Sequence, residues 1–492
     1  MRLPLLIGLV LLGSYAYFYQ GGGWNQNSRF DLTRALVERG TVQIDAYADN
    51  TGDKAVFDGH TYSDKAPGQA LTAVPALAIG RSAVRALGGD PDGIPAVSVL
   101  SYLATVWAAA LPMVVAALSL AWSAHRLGAS AAGATFAALA LGLATPAWAY
   151  ATLLWGHALA AGCLMLAFAA ALYTRERARL PGLVVGLAAG WAVVTEYPAA
   201  PAALILVLLA RRSWRWVGAG ALVPLAVLGI YNLAAFGSPF RVGYESVQGF
   251  SGMREGVLGI GTPKRTVLQE IVFGGFRGLF PLAPVLALAP FGLVILWRRA
   301  KSVRPAVGAA AAIVGYYLLF NASYFYWDGG AAYGPRHLGA ALPFLALGLA
   351  PLWDASRFLK VLLMVLATWG AALAAMAVST LVVLPESVMS PVQEVVWPAF
   401  ARGQLALNSD LYRPRPVPGV LTDGVLGRGA WNLGMLAGLP GHLSLLPLGI
   451  FWATLAAVGY RLARARNAPT EADAGVPAEA FRLPVGRPPT LG

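Results

Sequence analysis

Charge is scarce in this chain. Only 12% of its 492 residues are Asp, Glu, Lys or Arg, and 58% are hydrophobic. A soluble domain carries about 25% charged residues. A water-soluble globule is excluded, because it would expose far too much apolar surface. There is one cysteine, Cys163, so an intramolecular disulfide and a cysteine-built metal cage are excluded too. Cys163 lies in an apolar run and reads as a small core residue. No glycine loop followed by a phosphate-binding lysine is present, nor any nucleotide fold or nucleic-acid module. His60, His157, His337 and His442 match no ligand spacing, so a divalent metal has no support and no cofactor is expected.

What is present is a succession of apolar runs, each near the 17–25 residues that cross a bilayer. The fold class is therefore an all-α polytopic membrane protein with about twelve transmembrane helices. They are placed near 3–19, 95–122, 129–148, 152–173, 181–195, 197–210, 217–235, 279–297, 305–325, 338–353, 359–384 and 443–461. The net charge of +13 comes from short basic connections at 125–126, 175–179, 211–215, 298–304, 357–360 and 461–466. Basic loops of this kind face the cytoplasm. With the N-terminus inside, all six fall on that side and the acidic or mixed loops fall outside. The expected partners are therefore membrane lipids, not nucleic acid.

The chain divides into a first transmembrane helix (1–19), an outer loop (20–94), a transmembrane bundle (95–384), a second outer segment (385–442), a last helix (443–461) and a cytoplasmic tail (462–492). The Pro- and Ala-rich tail reads as disordered. The first segment has the length of a cleaved signal peptide. Tyr15, Tyr17, Phe18 and Tyr19 read instead as an interfacial aromatic belt on an anchor.

Within the outer loop, residues 24–68 hold six Asp, one Glu and one His in a chain otherwise poor in charge. Residues 28–39 have helical periodicity, and 69–87 form an amphipathic stretch with Arg81 and Arg85, suited to the membrane surface. Asp31, soon after the first span, is placed as a general base. The alternative is a solvated charge paired with Arg34 or Arg29. In the run from Tyr62 and Asp64 to Gly68, Pro67 disfavours helix at Ala66. Lys65 then stands at the mouth of the next helix, where it could hold a phosphate or snorkel to headgroups.

Residues 327–337, WDGGAAYGPRH, make an ordered turn rich in Gly with one Pro. Arg336 and His337 open the next span at its outer end, against the positive-inside bias. A phosphate-bearing lipid would account for them; so would an ion pair between Arg336 and Asp328. Glu196 lies between two apolar runs, where ionisable groups are costly and often functional.

These residues, taken in order, resemble the GT-C superfamily of integral-membrane glycosyltransferases. The bacterial branch of protein O-mannosyltransferases and lipid A aminoarabinose transferases is the nearest in pattern. Asp31 in RFDLTRAL stands where that branch has its acidic motif. Lys65-Ala66-Pro67-Gly68 is similar to its Lys-Pro-Pro motif. Phe236-Gly237-Ser238-Pro239 and Gly334-Pro335-Arg336-His337 are similar to further recurrent features. The chain departs at Leu32, where many relatives have a second carboxylate, and at Ala66, where they have proline.

The resemblance covers roughly 1–350 and implies a polyprenyl-phosphate sugar donor, used outside the cytoplasmic membrane on an unspecified lipid, glycan or protein acceptor. It implies Asp31 as base, and Lys65, Arg336 and His337 on the donor phosphate. The sugar or acceptor pocket would be shaped by Trp24, Tyr62, Asp64, Glu196, Trp327 and Asp328. The alternatives are a transporter or flippase of a lipid-linked sugar, sharing the cations without needing a base, and a noncatalytic envelope scaffold.

Overall fold

A computed structural model describes residues 3–408 and 429–466, with backbone alone for 462–466. Most of the tail, 467–492, and the stretch 409–428 of the second outer segment lie outside the described residues. The protein is mainly helical. Among the described residues six helices are long and apolar enough to cross a membrane: Ile94–Arg126, Arg211–Phe236, Arg304–Ser323, Arg336–Ala355, Arg357–Thr380 and Gly441–Arg461. Shorter apolar helices stand at Leu3–Ala16, Ala131–Leu143, Gly156–Ala171, Arg179–Thr195 and Tyr197–Leu209. The expected span at 279–297 is broken into three pieces, Leu279–Leu282, Pro284–Leu288 and Ala289–Arg299. Pro281, Pro284 and Pro290 each remove a backbone donor there.

The core is built from small residues. The helix Gly156–Ala171 is almost wholly buried and packs against Ile94–Arg126 and Arg179–Thr195. Alanine and glycine on its surface let helix backbones approach closely, which favours packing where lipid offers no hydrophobic drive.

Two features correct the all-α, interfacial reading. Phe18–Gln20 is a strand, paired antiparallel with Ala430–Asn432. Tyr15, Tyr17, Phe18 and Tyr19 are buried, at 1%, 5%, 4% and 0% exposure, so they form no interfacial belt. Tyr19 packs against Tyr102 and Trp431, and Trp431 donates to Ser98 Oγ. The aromatic run thus joins the first helix to the segment before the last one.

The second sheet is a hairpin, Lys54–Phe57 with His60–Ser63. Its two-residue turn is Asp58-Gly59, both at positive φ (48° and 79°). Asp-Gly suits the tight turn whose twist matches the strands.

The helix Trp24–Arg34 precedes this hairpin. It is polar, yet residues 26–33 are all buried. Several of its polar groups are paired, as most buried ones are, while Asn27 Oδ1, Arg29 Nη1 and Asp31 Oδ2 are buried without a hydrogen-bond partner. Gln26 accepts from the Leu154 amide, Ser28 bonds Ser63, and Thr33 donates to the Ala70 carbonyl. The helix Gly68–Ala86 follows, where an amphipathic helix was expected. One side packs on Trp24–Arg34 and on the start of Ile94–Arg126. Arg81 turns inward to Glu38 and Asp92, each at 2.9 Å.

Candidate active site

Where segment 20–94 meets the helix ends, it closes one side of a cleft with an empty volume of about 1170 Å³. Asn25 and Arg29 face it from the helix Trp24–Arg34, and Arg29 Nε donates to Asn25 Oδ1 at 3.1 Å. Residues four apart share a helix face. Asp31 is two positions beyond Arg29, turned by about 200° at 3.6 residues per turn. It points elsewhere: it is fully buried, does not line the cleft, and accepts from Asn50 Nδ2 at 3.1 Å. Burial pushes its carboxyl well above the usual carboxylate range. It pairs with neither Arg29 nor Arg34.

The hairpin brings a second group into the cleft. Lys65 Nζ lies 2.9 Å from Asp53 Oδ2 and 2.8 Å from Asp64 Oδ2. Two carboxylates share one ammonium. Burial raises the Asp64 carboxyl, with Asp53 adding to the push against the pull of Lys65. Burial alone would lower Lys65, but Asp53 and Asp64 outweigh it and hold the lysine above its ordinary value. The expected Pro67 break is present, and the next helix starts at Gly68. A Cβ on Gly68 would lie 2.7 Å from the Thr195 amide nitrogen. Glycine is required for this approach, which brings the start of the helix Gly68–Ala86 against the end of Arg179–Thr195.

Glu196 anchors the third group. His157 Nδ1 lies 2.8 and 3.0 Å from its two oxygens, and Arg29 Nη2 lies 3.8 Å away. A Cβ on Gly156 would sit 2.7 Å from Glu196 Cγ. Glycine there lets the carboxylate rest against the N-terminus of Gly156–Ala171, where the helix dipole favours negative charge.

The fourth side is Arg336. Its guanidinium lies 5.1 Å from the centre of the Trp155 ring. Its Nε is buried without a hydrogen-bond partner, as is Arg29 Nη1. Among the described residues no carboxylate comes within ion-pair distance of Arg336, so it is not paired with Asp328. His337 lines the cleft, and its Nε2 lies 3.1 Å from the Tyr326 carbonyl oxygen. Arg277 holds the preceding turn: it donates to the carbonyls of Asp328 at 3.2 Å and Gly330 at 2.6 Å.

A second cavity, about 790 Å³, adjoins the first and is lined by Trp24, Trp155 and Glu386. Asn25, Asp53, Phe250, Tyr326 and Arg336 line both.

Of the residues singled out in the sequence, Asp64, Lys65, Glu196, Arg336 and His337 meet in the cleft, and Trp24 stands in the adjoining cavity. Four do not line either. Asp31 is buried apart. Tyr62 packs on Phe236, ring centres 5.3 Å apart. Trp327 packs on Phe276, and the Asp328 carboxylate accepts from the Gly330 amide. Arg29, Asp53, His157 and Arg277 carried no such role in the sequence reading. Phe57-Asp58-Gly59-His60 was a hairpin signal that would have drawn Asp53 toward Lys65. Among the described residues no three His, Cys, Asp or Glu converge as a metal site.

No family model and no curated protein matches the sequence. Solved structures do. ArnT from Cupriavidus metallidurans bound to undecaprenyl phosphate matches with a TM-score of 0.50 at 19% identity, over 82% of this chain and 68% of that one. The apo oligosaccharyltransferase of Archaeoglobus fulgidus matches with a TM-score of 0.50 at 12% identity, over 84% and 61%. This chain spans only 60% of the apo ArnT chain, at a TM-score of 0.43. At such identities the likeness is one of fold.

Proposed function

We propose that the protein is a membrane glycosyltransferase that moves a sugar from a polyprenyl-phosphate donor to an envelope lipid, glycan or protein. In this reading the chain crosses the cytoplasmic membrane twelve times with both termini inside, and the cleft opens outside. One observation carries the chemistry. Arg336 faces the cleft with a buried, unpartnered N–H and no carboxylate partner among the described residues, and a carboxylate, Asp53, lines both cavities with it. The cleft's other charges nearly balance. Arg29 and Lys65 face Asp53, Asp64 and Glu196. An incoming phosphate therefore goes to the open donors of Arg336 and Arg29. Arginine's planar fork suits it.

The cleft has an apolar wall that includes Met253, Ile260, Phe320 and Tyr324. It suits the donor's chain and headgroup. The adjoining cavity, between Trp24 and Trp155, suits the acceptor. The acceptor hydroxyl attacks the anomeric carbon, the bond from that carbon to the phosphate oxygen breaks, and the hydroxyl proton passes to Asp53. Polyprenyl phosphate leaves with the bonding pair. Arg336 and Arg29 accelerate the step to the extent that their hydrogen bonds strengthen as that charge develops. Lys65 holds Asp53 in place between the two cavities. The base role that the sequence suggested for Asp31 passes here to Asp53, because a base must come within about 3 Å of the acceptor proton.

The test is purified protein in detergent with a panel of polyprenyl-phosphate sugars, scoring donor loss by mass spectrometry. Turnover by wild type and not by Asp53→Asn supports the reading. Binding of donor lipids with none consumed, in the presence of an acceptor extract, would favour transport instead.

A further inference from the structure

The helices Tyr197–Leu209 and Arg304–Ser323 line the cleft at one end, through Tyr197, Pro201, Tyr316 and Phe320. At the other end they line a separate open cavity of about 1550 Å³, through Ile205, Leu208, Ala309 and Ala312. The mouth of that cavity is basic. Arg126, Arg175, Arg211 and Arg212 reach it from three different connections, with Glu176 as its one carboxylate. Glu176 is already paired with Arg126. Arg175, Arg211 and Arg212 have no carboxylate within ion-pair distance among the described residues.

An apolar wall between helices, capped by three uncompensated guanidiniums, has the form of an anionic lipid: chain below, phosphate above. We infer that this cavity binds a membrane phospholipid of net negative charge, its phosphate on Arg175, Arg211 and Arg212 and an acyl chain along Leu208 and Ala309. Electroneutral lipids fit less well, because their own ammonium would face the arginines. A hydrated surface of like charges would scatter its arginines over the loops. Here they converge on one cavity, and guanidinium groups pair with phosphate oxygens in fork geometry. Basic pockets between transmembrane helices on the basic-loop side take such headgroups. The site is remote from the cleft, and nothing in it depends on glycosyl transfer.

The test uses the full chain in mixed micelles of phosphatidylglycerol and phosphatidylcholine, with bound lipid read by native mass spectrometry. The cavity variant is Arg175→Gln/Arg211→Gln/Arg212→Gln. The control is Arg177→Gln/Arg298→Gln/Lys301→Gln, which removes the same charge from nearby positions that do not line the cavity. Retention of phosphatidylglycerol should fall roughly a hundredfold in the cavity variant, at about fivefold per arginine, and much less in the control. Equal loss in both would reduce the effect to diffuse surface charge and overturn the site. Displacement by millimolar inorganic phosphate, or equal retention of phosphatidylcholine, would overturn the lipid assignment. A second measurement needs no variant. A phosphatidylglycerol with a photoreactive acyl chain should label wild type on 205–209 and 306–312, and labelling confined elsewhere would overturn the proposal.

Discussion

Replacing Asp53 by Asn separates catalysis from folding. Breaking a buried ion pair costs about 3–5 kcal/mol when it strands a charge. Lys65 is not stranded in this variant, because Asp64 remains 2.8 Å from its ammonium. The change also removes one of two carboxylates competing for a single cation. The stability cost should therefore lie near the roughly 1 kcal/mol of an ordinary hydrogen bond. Transfer should suffer far more. A positioned base contributes about 10²–10⁴-fold, equivalent to roughly 3–5 kcal/mol of barrier. The assay is donor consumption in detergent, with thermal unfolding of the same preparations. Asp31→Asn is the paired control and should transfer within a few-fold of wild type. Asp53→Asn within tenfold of wild type, or a dead Asp31→Asn that still folds, would refute the argument and return the base role to Asp31.

Asp31 also sets a pH dependence. Its folded-state pKa is raised by burial, so the folded protein holds the proton more tightly than the unfolded chain. The resulting penalty is absent below the unfolded value of about 3.9 and grows until pH passes the raised folded value. Asp31→Asn should thus match wild-type unfolding temperature near pH 4 and exceed it progressively toward neutral pH; parallel curves would show the carboxyl is not held protonated. Arg336→Gln should weaken binding of a short-chain polyprenyl phosphate roughly tenfold to hundredfold, the worth of a charged hydrogen bond; an unchanged Kd removes Arg336 from the phosphate site. Gly68→Ala should destabilise by about 1–3 kcal/mol through overpacking against the Thr195 backbone, read by thermal unfolding. Arg277→Lys cannot span the carbonyls of Asp328 and Gly330 as the fork does. It should raise the donor KM more than it lowers kcat, by loosening the turn that presents Arg336.

The sequence by itself determined that this is a helical membrane protein with an acidic segment near its start, because hydropathy is additive along the chain. About twenty apolar residues in a row are long enough to cross a bilayer. Local backbone chemistry was equally legible. Pro67 and Gly68 open a helix, and the Gly-rich run 327–337 makes a turn with Gly329, Gly330 and Gly334 at positive φ. So was the cation pair of Lys65 and Arg336, both lining one cleft, since charges at span ends stand out against apolar surroundings.

The tertiary structure alone decided which of the acidic residues reach the cleft. That choice depends on helix phase and on pairing between distant segments. Two residues of rotation turn Asp31 away from the face that Arg29 presents. A hairpin carries Asp53 to Lys65. Glu196 meets His157 because Gly156 has no side chain. The aromatic run at 15–19 looked interfacial because its partners, Tyr102 and Trp431, lie about 80 and 410 residues away and hydropathy windows cannot see them. Composition located the apolar spans; only the packing of distant polar groups assembled the candidate site.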